Sequence, residues 1–334
     1  MQWFRKKRAI DALGVKGCYK QPNIHRFRRL VQWISLFLLN PYIILGGLGI
    51  MSLAVYKERI QNMQIVFPVM NCYASPAAAA ACPIGAMGQL IAAGVVPFFV
   101  IGVFFVVGAI AGRFFCGWIC PFGLIQELFY KIPSKKFKLP NFTSYFKYFF
   151  LVITVILIPA VWGTSSGTGT PSEVFFCNIC PAAALEATIP TQIQLAIEGN
   201  LSWHLFFTHL LVQFKFWLLI FFVLLFIITK RPFCKTMCPS GAIYGLFNTV
   251  SLLRMKVDTQ ACANCNRCNL RCPIDHAIKV SSNSPECIRC FECEFEACDF
   301  NAISSNISRL RKLETKTVSA AKTGGANNDG EKDD

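Results

Sequence analysis

"RFFCGWICPFG", residues 113–123, closes a long apolar run, and much of it returns as "RPFCKTMCPSG" at residues 231–241. Both copies read R-x-F-C-x3-C-P-x-G. Cysteines at i and i+4 share a helix face, and a proline directly after the second suits the first turn of a new helix. Cys120 and Cys238 then stand at helix N-termini, where the dipole favours thiolate. A single free cysteine is most often a small buried hydrophobe. Four of them, Cys116, Cys120, Cys234 and Cys238, in two matched motifs point to chemistry: a jointly held iron–sulfur cluster or a pair of redox-active dithiols.

The runs that lead into these motifs set the fold class. The 334 residues are 54% hydrophobic and 15% charged. Four stretches, about 30–56, 89–112, 143–162 and 205–229, have the apolar length needed to cross a hydrocarbon core of about 30 Å. Asn40-Pro41 should kink or divide the first. The net charge of +15 is read as membrane topology rather than nucleic-acid binding, because the basic residues flank apolar runs. Residues 1–29 hold nine Lys or Arg and 113–142 hold five, whereas 57–88 hold two and 163–204 none. By the positive-inside rule both termini and both C-x3-C-P motifs are cytoplasmic. "RFRRLVQW" at 26–33 has a long apolar run behind it and no small-residue cleavage site, so it reads as a retained helix.

The expected architecture is therefore an α-helical integral membrane protein of the inner membrane, multi-pass. Its four transmembrane helices form two parallel two-helix repeats, followed by a C-terminal α+β bacterial ferredoxin domain with two [4Fe-4S] clusters. The expected divisions are a basic cytoplasmic segment (1–29), the transmembrane domain (30–250), the ferredoxin domain (251–310) and a disordered polar tail (311–334).

"CANCNRCNLRCP" carries the ferredoxin reading, with Cys262, Cys265, Cys268 and Cys272 spaced C-x2-C-x2-C-x3-C-P. "CIRCFECEFEAC" supplies Cys287, Cys290, Cys293 and Cys298, with a longer last gap and Asp299 in place of proline. Three close thiolates wrap one cubane while the fourth cysteine serves the other. The expected sets are thus Cys262, Cys265, Cys268 and Cys298, and Cys287, Cys290, Cys293 and Cys272. Zinc prefers four ligands in paired C-x2-C form, which two triplets do not offer. On the far side, "NCYASPAAAAACPIGA" and "FCNICPAAA" place Cys72, Cys82, Cys177 and Cys180 in either another cluster or two disulfides. Four histidines, with only His204 and His209 close together, argue against a bis-His haem, and there is no C-x-x-C-H motif. His209 and Glu198 have the chemistry to take quinol protons.

Taken together, four apolar runs, two C-x3-C-P motifs and a two-cluster ferredoxin resemble the NapH/NosR/MauN group of polyferredoxin-like membrane proteins, over roughly residues 30–300. The chain lacks the large extracytoplasmic flavin-binding domain of NosR, so the shorter NapH-like arrangement is the better match. The resemblance implies a membrane component of a quinol dehydrogenase-type system. Such a component passes electrons between the quinone pool, or an extracytoplasmic redox partner such as a cytochrome or ferredoxin-like subunit, and cytoplasmic iron–sulfur clusters. A maturation factor for a metalloenzyme and a transmembrane thiol–disulfide relay are the rival functions.

Overall fold

The computed structural model describes residues 24–40, 66–72, 75, 82–162, 175–197, 214–298, 300 and 302–308. The first 23 residues, most of the second half of the first apolar run, Glu198, His204, His209 and the tail lie outside these. What is described is mostly helical, with one small sheet.

Helix α1 (Ile24–Leu39) is built inside out. It buries Arg28, Gln32, Ser35 and Leu39, a polar stripe at helical spacing, and exposes Phe27, Leu30, Ile34, Phe37 and Leu38. Helices α2 (Pro83–Ala92) and α3 (Phe98–Ala111) follow, then the short α4 (Phe114–Trp118) and α5 (Pro121–Phe129). The expectation of a single span over 89–112 is corrected here. The chain turns at Gly94, whose φ is 73°, and Pro97 occupies the N-cap of α3; glycine supplies the left-handed turn and proline cannot continue the preceding helix.

The long helix α6 (Asn141–Val161) has 21 residues and therefore about 31 Å of length. It opens with a 3-10 turn at Asn141–Tyr145 and widens to a π-helix over Leu151–Leu157. Among the described residues this is the one helix long and apolar enough to cross a membrane. The expectation of four such helices is not met there, since the described parts of the other three runs form shorter helices.

Past α6, α7 (Phe176–Ile179) leads through Cys180 to α8 (Pro181–Ala183), which continues by a π turn, Ala184–Thr188, into α9 (Ile189–Ile197). The second motif follows α10 (Phe214–Ile228) as α11 (Pro232–Thr236) and α12 (Pro239–Phe247). Proline at the first turn starts α2, α5, α8, α11 and α12. The proline ring already has helical φ, and its missing N–H is one the first turn leaves unpaired anyway.

The cysteine-rich segment carries strand β1 (Met255–Val257), helix α13 (Arg267–Arg271), a π turn at Cys293–Ala297 and strand β2 (Ile303–Ser305). The strands pair antiparallel, with Met255 opposite Ser305 and Val257 opposite Ile303. One apolar core runs through both helical repeats and includes Phe122, Phe226, Phe233 and Tyr244. A second core joins Trp118 of the first motif to Met255, Ile278 and Phe291 of the cysteine-rich segment.

Candidate functional site

The two motifs interlock by exchanging their arginines. Arg113 donates from Nη2 to the carbonyl of Cys234 at 3.2 Å, and Arg231 donates from Nη1 to the carbonyl of Cys116 at 2.8 Å. The closing glycine of each motif makes room for the other's guanidinium. A Cβ at Gly241 would lie 3.0 Å from Arg113 Nη2, and one at Gly123 would lie 3.2 Å from Arg231 Nη1. The repeat string is thus legible residue by residue: the arginine crosses, the cysteines face inward, the proline starts a helix and the glycine receives the partner arginine. Arg231 adopts a left-handed conformation, φ 43°, unusual for a non-glycine residue before proline. Its side chain is held there by Glu127, 2.9 Å from Nε.

This interlock brings Cys116, Cys120, Cys234 and Cys238 within electrostatic reach of one another. Cys120 and Cys238 occupy equivalent N-caps with extended backbone, ψ 115° and 110°. Cys238 Sγ accepts from the Gly241 N–H at 3.3 Å, and Gln126 Nε2 donates to Cys234 Sγ at 3.2 Å.

The cysteine-rich segment is docked onto this face by buried charge. Arg113 also donates to the Pro285 carbonyl at 2.7 Å, and Arg289 reaches back to the carbonyls of Ala111 and Asn248. Asn248 donates to the carbonyls of Ser284 and Cys287, and Trp118 Nε1 donates to that of Arg289. From α1, Arg28 bonds Glu127, Glu292 and the Gly117 carbonyl together, while His25 adds a second contact to Glu292 at 2.8 Å. Lys147 of α6 pairs with Glu286. Gly117 and Gly245 permit the close approach: a Cβ there would sit 2.5 Å from the Ile288 carbonyl oxygen and 2.8 Å from that of Pro285.

Burial alone would raise the Glu292 carboxyl. The His25 hydrogen bond and the charges of Arg28, His25 and Arg271 outweigh it and pull the group down to about 2.

Within the segment, the two cysteine triplets share a backbone device. Asn264 and Asn266 flank Cys265, and Arg289 and Phe291 flank Cys290, all four with φ between 50° and 61°. Alternating left-handed residues curl a chain so that successive side chains converge on one side. Asparagine tolerates this conformation, whereas for Arg289 and Phe291 it is costly and must be held by the packing. The curls enclose two cavities of about 20 Å³ each. One is lined by Cys262, Cys265, Cys268 and Cys298, the other by Cys272, Cys287, Cys290 and Cys293, with Cys268 on the wall of both. His276 also lines the second cavity, its N–H donating to Cys272 Sγ at 3.3 Å; burial lowers its imidazole below the ordinary value. Cys234 and Cys290 belong to one buried contact cluster, with Cys116 and Cys272 packed against it.

Cys72, Cys82, Cys177 and Cys180 line a further cavity of about 20 Å³. Cys82 Sγ lies 3.7 Å from the Met70 sulfur. Among the described residues, no three His, Cys, Asp or Glu side chains converge tightly enough for a single metal ion. One zinc would draw all four sulfurs to within about 2.3 Å of one point, whereas each thiolate of a cubane binds a different iron. The donor set, thiols only around apolar hollows, fits iron–sulfur clusters.

Sequence spacing grouped the cysteines but not the arginine exchange, although Arg113, Gly123, Arg231 and Gly241 are all part of the repeated string. Nothing in the local sequence marks Arg28, Glu127, Asn248 or Glu292, whose partners lie far away in the chain.

Comparison with known proteins bears on these centres. A family described as "4Fe-4S binding domain" matches residues 92–140 and 214–259, one stretch for each C-x3-C-P repeat. An uncharacterised protein of Methanocaldococcus jannaschii is 32% identical over 66% of this chain and 80% of its own length. The methylamine utilization ferredoxin-type protein MauN of Paracoccus denitrificans is 26% identical over 53% of each chain. The ferredoxin-type protein NapH of Haemophilus influenzae is 25% identical over 55% of this chain and 59% of its own. The chain thus spans little more than half the length of the MauN and NapH relatives. No solved structure matches it. With its interlocked C-x3-C-P repeats and docked cysteine-rich segment, the chain belongs to the NapH/NosR/MauN-type polyferredoxin-like proteins.

Proposed function

We propose that the protein is a membrane-bound electron-transfer subunit, working between quinol or an extracytoplasmic redox partner and two cytoplasmic [4Fe-4S] clusters. The observation that carries this is the pair of cysteine-lined cavities, with Cys268 on the wall of both, docked by buried charge on the C-x3-C-P face. Bound there, iron–sulfur clusters supply one-electron chemistry over a potential range tuned by their surroundings.

The chain's own residues set those surroundings. The left-handed residues around Cys265 and Cys290 curl the chain so that the cysteines line the two cavities that would hold the clusters. Arg113 and Arg231 place positive charge beside the four motif cysteines, which opposes the negative charge that four thiolates bring. Ile274 and Ile288 pack with Cys234 and Cys290 at the buried junction where the two cysteines meet. Membrane residence is supported by the inside-out α1, the length of α6 and the apolar surface of α3 and α10, where Phe98, Phe99, Phe105, Phe221 and Leu224 are all more than half exposed.

Anaerobic purification with iron and sulfide counting, followed by EPR of the dithionite-reduced protein, tests the reading. Two spin-coupled centres that are reduced by quinol or by a membrane fraction are expected, with Cys265→Ala altering one and sparing the other. Zinc in place of iron, or clusters present in a protein that exchanges no electrons with any such donor, would overturn it. A reporter fused after residue 310 should be active only in its cytoplasmic form.

A further inference from the structure

We infer that Cys72, Cys82, Cys177 and Cys180 form an additional iron–sulfur site, on the side of the helical core away from the cysteine-rich segment. The inference extends the reading above to a centre beyond the two it requires.

Three observations carry it. First, all four thiols line one apolar hollow, and its size, about 20 Å³, is that of each of the two cavities in the cysteine-rich segment.

Second, the hollow is built with the device used at the C-x3-C-P motifs. Cys82 and Cys180 are N-caps with extended backbone, ψ 129° and 121°, each followed by proline at the start of a helix. Cys120 and Cys238 repeat that geometry. Four Cys-Pro helix starts, two in each repeat, therefore face two centres.

Third, the hollow abuts the motif cysteines. Cys72, Cys82 and Cys180 share a core with Cys120 and Cys238. Met70 lines the hollow, and its backbone also faces the Cys120 thiol. The Tyr244 hydroxyl, buried and without a hydrogen-bond partner, lies within electrostatic reach of both Cys82 and Cys116.

The ligand class follows from the walls. Among the described residues no imidazole lines the hollow, and walls of thiols alone suit iron–sulfur clusters, copper(I) or zinc. A cluster held by four thiolates, one to each iron, fits that donor set. Glu186, which accepts the Cys72 N–H at 2.7 Å, fixes the loop that carries Cys72. Lys215 is a cation within reach of Cys177.

The test uses full-length protein isolated anaerobically, as wild type and as the double variant Cys82→Ser with Cys180→Ser. The variant should hold about four fewer irons and four fewer sulfides per chain, with the EPR signals of the cysteine-rich segment unchanged. In the wild type, alkylation followed by mass spectrometry should label Cys72, Cys82, Cys177 and Cys180 only after iron is stripped with a chelator under denaturing conditions. Equal iron in the two proteins would overturn the assignment, as would disulfide-linked peptides, zinc at the site, or free labelling of the iron-loaded wild type. Should the variant fail to accumulate, the wild-type alkylation pattern decides alone. Loss of the cysteine-rich segment's EPR signals in the wild type would instead strike the proposed function and leave this site's count standing.

Discussion

The two groups of four cysteines in the helical core use the same Cys-Pro helix start but differ in what surrounds it. Around Cys116, Cys120, Cys234 and Cys238, two buried arginines cross between the repeats and two glycines receive them. Around Cys72, Cys82, Cys177 and Cys180, the Met70 thioether meets Cys82, the Glu186 carboxyl group accepts the Cys72 N–H, and Lys215 is a cation within reach on the Cys177 side. One local device thus gives two electrostatic environments. Cationic neighbours favour the more negative, reduced form of a bound centre, so a cluster held by the motif group would have the higher potential of the two. The arginines also serve as structural pins, since each ties its own repeat to the other and Arg113 reaches the cysteine-rich segment as well.

The largest expected effect comes from removing such a pin. Arg231→Ala leaves Glu127 with Arg28 alone and frees the Cys116 carbonyl. Taking one partner from a buried charge pair typically costs about 3–5 kcal/mol. Apparent thermal stability in detergent should fall by that order, with the motif cysteines becoming open to alkylation before those of the far group. Opening confined to the far group would break the comparison.

Acid acts next in size. Glu292 is held at about 2 in the docked state and has an ordinary value of 4.5. Its contribution to docking is therefore fully present above pH 4.5 and is lost as the pH falls from there toward 2. The loss amounts to about 3 kcal/mol at most, given 1.36 kcal/mol per unit. Limited proteolysis between residues 248 and 254, followed across pH 5 to 3, should show the segment loosening, and Glu292→Gln should flatten that dependence. An unchanged pH profile in Glu292→Gln would move the acid sensitivity to Glu286 or Glu127.

Gly117→Ala addresses the docking surface directly. The added Cβ meets a backbone carbonyl at 2.5 Å, which cannot swing aside as a side chain could. A cost of about 1–3 kcal/mol is expected, together with altered coupling between the motif cysteines and Cys290. Wild-type EPR line shapes in this variant would show that the contact is not needed to hold the centres in place.

Much of the site could be read from the sequence because cysteine spacing is a local property. The triplets around Cys265 and Cys290 and the repeat of Cys116 and Cys234 are visible in short strings. The arginine exchange was written in those strings as well, but its meaning depends on a contact between residues more than a hundred apart. The break within 89–112 was also signalled: Gly94 and Pro97 interrupt the run, and apolarity alone hid the interruption. The polar stripe of α1, Arg28, Gln32 and Ser35, has helical period, yet its inward direction follows only from where Glu127 and Glu292 come to lie.

The smallest effect sharpens the comparison most. Three helical glycines differ only in what a methyl group would meet. At Gly102 nothing lies within 4 Å; at Gly123 the Arg231 guanidinium is 3.2 Å away; at Gly241 the Arg113 guanidinium is 3.0 Å away. Gly102→Ala should gain the ordinary helix-propensity benefit of up to about 1 kcal/mol. A guanidinium at the end of a side chain could normally yield. Here Arg113 is held by the carbonyls of Cys234 and Pro285, and Arg231 by that of Cys116 and by Glu127, so yielding breaks a bond between the repeats. Gly241→Ala and Gly123→Ala should accordingly lose about 1 kcal/mol net, the overpacking cost less the propensity gain, with Gly241→Ala the worse of the two. Unfolding of the three variants side by side in one detergent gives the order. If all three are equally stabilised, the arginines are free to move, and the motif glycines answer to something other than the exchange.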